Sequence, residues 1–105
     1  MGKFQRDKGM RIERKIVHLH HEAGLPCERV PLSGSAGGSF SGDLIIGNLR
    51  AEVKGRKNGE GFKSIVDWKE DNDLLFLVMD RRQPLVVMDF DMYANMLDEI
   101  GPGKY

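Results

Sequence analysis

The chain predicts an α/β fold: a mixed five-stranded sheet flanked by helices, in the order α-β-β-β-α-β-β-α. Three observations carry this expectation. Apolar residues recur at helical spacing near both ends of the chain, as Ile12, Ile16, Leu19 and Ala23 and again as Tyr93, Met96, Leu97 and Ile100. Two short apolar segments meet at Gly47-Asn48, a dipeptide suited to a two-residue hairpin turn. Further on, Leu74 to Met79 is an unbroken apolar run, the mark of a strand covered on both faces.

The elements follow in order. Residues 1–10 are polar and predict a flexible end. Arg11 to Ala23 predicts a helix with Val17 at the edge of its apolar stripe, stopped by Gly24. Pro26 to Leu32 reads as a short strand, and Pro31 places it at an edge or a bend. Ser33 to Ser39 holds small residues with little to bury and predicts a mobile loop. Gly42 to Ile46 and Leu49 to Lys54 form the predicted hairpin. A 47–48 turn sets Ile46 opposite Leu49, Ile45 opposite Arg50, Leu44 opposite Ala51 and Asp43 opposite Glu52. After a basic connection from Gly55 to Gly61, residues Phe62, Ile65, Val66 and Lys69 mark one face of a short helix, with Trp68 beside it. Asp80 to Gln83 predicts a turn and Leu85 to Met88 a second buried strand. Asp91 is placed to cap the last helix, and Gly101 to end it. The strand-helix-strand passage in the middle implies one parallel crossover.

Size and composition limit the classes open to the chain. Its 105 residues suit one domain with a modest core. The longest apolar run is six residues, against the roughly 20 that span a bilayer. No apolar leader precedes the first helix, so neither a membrane span nor a secretory signal is expected. A single cysteine, Cys27, forms no internal disulfide and no cysteine-based zinc site, which suits a reducing cytoplasm. The net charge of zero conceals an asymmetry. Residues 1–62 carry 11 Lys and Arg against 7 Asp and Glu, and residues 63–105 carry 5 against 9. The basic first half hints at a polyanionic partner.

The hairpin carries the chemistry. Glu52-Val53-Lys54 alternates, so Glu52 and Lys54 share a face roughly 7 Å apart. Asp43 opposite Glu52 puts two carboxylates about 5 Å apart, which is costly without a cation between them. Glu13 borders the buried stripe of the first helix and could reach the same rim. Two or three carboxylates with the Val53 carbonyl make a hard, all-oxygen site suited to Mg²⁺. Such an ion activates water and offsets charge on a phosphate, and Lys54 beside it could orient that water.

Asp43, eight intervening residues and Glu52-Val53-Lys54 resemble the signature of the PD-(D/E)XK nuclease superfamily. More narrowly, four segments in order resemble archaeal-type Holliday junction resolvases, including small viral members. These are Gly9 to Arg14, Arg29 to Gly34, Gly42 to Ile46 and Glu52 to Lys54. The match covers residues 9–57, about half of the chain; downstream only the order of elements agrees. The resemblance implies a restriction-endonuclease-like core in a single nuclease domain over 1–105. It implies Glu13, Asp43 and Glu52 as metal ligands with the Val53 carbonyl, and Lys54 as the catalytic lysine. Ser33 would lie near the scissile phosphate, and Arg14 and Arg29 would contact DNA. One departure is Gly42, where the motif usually has proline; it bears on local rigidity.

The resemblance therefore implies an Mg²⁺-dependent endonuclease, with Mn²⁺ able to substitute, that makes paired symmetric nicks in four-way DNA. Two such cuts need two sites, so a two-fold homodimer acting on branched double-stranded DNA is expected. It would work in the cytoplasm, that of a host if the gene is viral. A related nuclease of nicked, flapped or linear duplex is the alternative, and a non-catalytic nucleic-acid-binding module of the same fold is the rival. Arg56 and Lys57, beside the phosphate site, read as further backbone contacts. His18, His20 and His21 read as a solvated face, and Met88, Met92 and Met96 as packing.

Overall fold

The computed structural model describes residues 2–30 and 43–105, with the side chains of residues 2–8 excepted. The predicted mobile loop with Ser33, the far end of the first predicted strand, and Gly42 at the start of the second lie outside the described residues. Helix α1 spans Gly2–Glu22 and is followed by strand β1, Glu28–Arg29. Strands β2, Leu44–Ile46, and β3, Leu49–Ala51, form the hairpin. Helix α2, Lys63–Lys69, leads to β4, Leu75–Leu77, and β5, Leu85–Val87, and helix α3 spans Phe90–Ile100. Among the described residues no helix is long and apolar enough to cross a membrane.

The hairpin register is the expected one: Ile46 pairs with Leu49, Ile45 with Arg50 and Leu44 with Ala51. Gly47 has a φ of +61° and Asn48 a negative one, the pattern of a turn with glycine at its first central position. A Cβ on Gly47 would lie 2.7 Å from the carbonyl oxygen of Tyr105, so glycine also admits the C-terminal segment. Asn48 Nδ2 donates to that same oxygen at 3.1 Å. β1 adds antiparallel to β2, Arg29 opposite Leu44, at the sheet edge that the neighbouring Pro31 led us to expect.

The core lies between this three-stranded sheet, α1 and α3. Leu44 and Ile46 of β2 are 0% and 2% exposed and pack with Leu25, Cys27, Ala94, Leu97 and Tyr105. Ile16 and Val17 of α1 and Tyr93 of α3 close over them. Burial of the Cys27 thiol, and secondarily the Glu28 carboxylate beside it, push its pKa up.

Several expectations are corrected. The described strands form two antiparallel sheets, β1-β2-β3 and β4-β5, rather than one mixed sheet of five, and the parallel crossover is not formed among them. The class remains mixed α and β. β4 pairs with β5 through Phe76 opposite Val86, and that face is open: Phe76 is 58% and Val86 49% exposed. Leu75 and Leu77, on the other face, are half-buried. An unbroken apolar run does not distinguish a strand covered twice from one covered once. Leu85, expected to be buried, is also exposed, although it lies opposite Leu77 on the other face.

Helix α1 takes in residues 2–10, where Lys, Gln and Arg favour helix. His20 is not solvated but 2% exposed, sitting edge-on to Phe90 and Tyr93. Asp89, not Asp91, precedes α3, and its carboxylate turns away from the helix N-terminus to accept from Lys69 Nζ at 3.1 Å. Gly101 ends α3 as expected, its N–H bonding the Leu97 carbonyl. Val66 and Trp68 of α2 project into solvent.

Candidate active site

Asp43 begins at the foot of β2, where both neighbouring chains hold it. Its N–H donates to the Ala51 carbonyl at 2.7 Å, and its own carbonyl accepts from Val30 N–H at 2.9 Å. The carboxylate then accepts from the backbone N–H of Val53 at 2.8 Å through Oδ2. Three hydrogen bonds to two strands leave Asp43 little freedom, which is the pre-organisation that a ligand or a catalytic acid needs.

The Asp43 and Glu52 carboxylates, expected to face each other, take different partners. The ladder ends at Leu44 and Ala51, and Asp43 turns to the Val53 amide. Glu52 instead pairs with Lys54, Nζ to Oε2 at 3.4 Å, with side chains 53% and 65% exposed. Asp43 thus has a backbone N–H and Glu52 a cation as partner, and an exposed pair such as Glu52–Lys54 adds little stability.

Glu13 comes from α1. Its Oε1 accepts from Arg29 Nε on β1 at 3.1 Å, with side chains 19% and 26% exposed. This partly buried pair ties α1 to the edge of the sheet. Arg29, expected on DNA, is thus engaged with Glu13 within the protein.

Glu13, Val53, Lys54 and Arg56 line one pocket of about 310 Å³, floored by Ile12. Gly55 completes it: a Cβ there would run into the Ile12 side chain, so glycine lets the chain beyond β3 lie close to α1. Asp43 does not line the pocket itself but is bonded to the amide of Val53, which does. Glu52 does not line this pocket; it lines another with His20 and Tyr93, which shares Val53 and Lys54 with the first. Arg14 is exposed on α1, and Lys57 lines an adjoining groove. Ser33 lies outside the described residues.

The donor set is carboxylate and carbonyl oxygen, which suits Mg²⁺ or Mn²⁺. Glu13, Asp43 and Glu52 each use one carboxylate oxygen in the contacts above, and among the described residues no contact of the other is seen. Among the described residues no three ligating side chains already converge as a metal cluster. The arrangement holds Asp43 rigidly, with Glu13 and Glu52 on separate, cation-paired tethers.

Sequence reasoning passed over two residues of this region. Arg11 and Lys15 line the groove adjoining the pocket, facing Arg56 and Lys57. The signal was present: both lie one residue before a member of the Ile12–Ile16 stripe, four apart on one helix face. No protein-family model, no curated protein and no solved structure matches the chain.

Proposed function

We propose that this chain is an Mg²⁺-dependent, structure-selective endonuclease that hydrolyses phosphodiester bonds in four-way DNA junctions as a homodimer. The observation that carries this reading is the gathering of Glu13, Val53 and Lys54 around one pocket, with Asp43 bonded to the Val53 amide at its wall. Those residue types support phosphodiester hydrolysis because the reaction needs hard oxygen ligands and a cation beside the phosphate.

Glu13, Asp43, Glu52 and the Val53 carbonyl would hold the metal ion, which when bound supplies an activated water and offsets phosphate charge. Asp43 anchors the set through its three backbone bonds. Lys54 orients the attacking water and stabilises the charge that builds on the phosphate. Arg29 holds Glu13 at the pocket's edge. The homodimer follows from the need for two cuts, and the open apolar face of β4 and β5 is surface that a second copy can cover.

The test is cleavage of a synthetic four-way junction beside a linear duplex of the same arms, with and without Mg²⁺, using Asp43→Asn as control. Paired symmetric nicks in the junction only, abolished in the control, are expected. Equal cutting of both substrates would move the assignment to a general nuclease. Binding without cutting, in Mg²⁺ and in Mn²⁺, would leave a nucleic-acid-binding module.

A further inference from the structure

The groove beside the pocket concentrates positive charge. It measures about 680 Å³, and Arg11, Lys15, Lys54, Arg56 and Lys57 line it with no carboxylate among them. This occurs in a chain whose formal net charge is zero. Arg11 and Lys15 stand four residues apart on α1, so their side chains rise from the same helix face about 5–6 Å apart at Cβ. Both are exposed, and neither has a hydrogen-bond or ion-pair partner among the described residues. By contrast Lys54 is shared with Glu52, and Arg56 donates to the Gly55 carbonyl at 3.0 Å. The floor is Ile12, Ile16 and Val53. A cleft lined by one sign of charge over a low-dielectric floor focuses its field and draws in counter-charge.

The groove runs into the Glu13 pocket, because Ile12 and Val53 to Arg56 line both. We infer that Arg11 and Lys15, with Arg56 and Lys57 across from them, form a phosphate-backbone track that guides one DNA strand toward that pocket. This assignment rests on the nuclease reading above for the identity of the polyanion. Backbone contact is the expected mode, because phosphate and sugar take half to two-thirds of protein–DNA hydrogen bonds and arginine and lysine are their usual donors. Ionic contacts of this kind weaken binding uniformly across sequences when removed, and they set its salt dependence.

The experiment is fluorescence anisotropy of labelled junction and of labelled linear duplex in EDTA, between 50 and 200 mM salt. The proteins compared are the full chain, the double variant Arg11→Ala/Lys15→Ala, the charge-keeping Arg11→Lys/Lys15→Arg, and Lys63→Ala as a cation outside the groove. The alanine pair is expected to weaken binding of both DNAs about tenfold or more. It should also lower the slope of log affinity against log salt by about 1.8, that is 0.9 for each lost phosphate contact on duplex. The charge-keeping pair and Lys63→Ala should keep the parent slope. DNA binding by the parent with an unchanged slope in the alanine pair would overturn the groove assignment and leave the nuclease reading intact. No DNA binding by the parent at any salt would overturn both. Should the alanine pair melt below the assay temperature, Arg11→Gln/Lys15→Gln carries the same comparison.

Discussion

The backbone N–H of Val53 donates to Oδ2 of Asp43 at 2.8 Å, and this bond links the foot of β2 to the chain beyond β3. The same carboxylate would thus serve structure through one oxygen and chemistry through the other, and the two roles separate by mutation. Asp43→Asn keeps an amide oxygen for the Val53 N–H, so its melting temperature should stay within a few degrees of the parent. Its cleavage rate should still fall by at least about a hundredfold, since even outer-shell partners of a metal site cost 10–100-fold when lost. Asp43→Ala removes both and should lose about 1.5–3 kcal/mol, as for a hydrogen bond to a charged group. Thermal melts and single-turnover cleavage of the two variants check this.

His20 joins α1 to α3. Its Nδ1 lies 2.7 Å from the Ile16 carbonyl, which can only accept, so Nδ1 carries the proton. In the neutral ring Nε2 then accepts from the Tyr93 hydroxyl at 2.7 Å. Tyr93→Phe strands a ring nitrogen in the core and should cost about 1–3 kcal/mol in urea unfolding.

Alkali should act on the same region. Burial, followed by the charges of Cys27 and Tyr105, raises the Tyr93 pKa above its ordinary 10.0, and burial raises Cys27 above its ordinary 9.0. The folded state therefore holds both protons more tightly than the unfolded chain does. Their stabilisation is complete below the ordinary thiol value and is lost as pH climbs toward the raised ones. Urea midpoints should be flat from pH 7 to 8 and fall by pH 10. The fall should be smaller in Cys27→Ala/Tyr93→Phe.

Gly47→Ala should be among the most damaging single-methyl changes. Its φ of +61° disfavours an L side chain by about 1–2 kcal/mol. The new Cβ would also stand 2.7 Å from the Tyr105 oxygen and 2.9 Å from its ring, displacing the C-terminal residue from the core. A loss above about 2 kcal/mol, or a melting temperature lower by about 8 °C or more, is expected. Gly9→Ala, inside α1 with no atom within 4 Å of the added methyl, should instead stabilise by about 0.5–1 kcal/mol.

The open face of β4 and β5 should set the assembly. Light scattering should give the parent twice its 11.8 kDa chain mass. Phe76→Ser/Val86→Ser, on directly paired exposed residues, should run at the single mass with unchanged helix content by circular dichroism. A parent that is monomeric at the concentrations used for cleavage would remove the dimer from the proposal.

What could be read along the chain was whatever depends on near neighbours. A two-residue turn permits one pairing, so Gly47-Asn48 set the register of Leu44–Ile46 on Leu49–Ala51. The stripe of Ile12, Ile16 and Leu19 and the stop at Gly101 marked α1 and α3. The alternation of Glu52 and Lys54 placed those two side by side. Tertiary structure decided the rest, because it alone settles which faces meet. The packing of α1 and α3 against the sheet buried His20, although His18 and His21 beside it stayed exposed. The close approach of Ile12 to Gly55 brought Arg11 and Lys15 opposite Arg56 and Lys57, residues more than forty apart in the chain. The contact between α1 and β1 matched Glu13 with Arg29. Leu74 to Met79 carries no mark of how many of its faces are covered, since apolar residues at every position satisfy either case; only the pairing of β4 with β5, in a sheet of their own, left Phe76 and Val86 in the open.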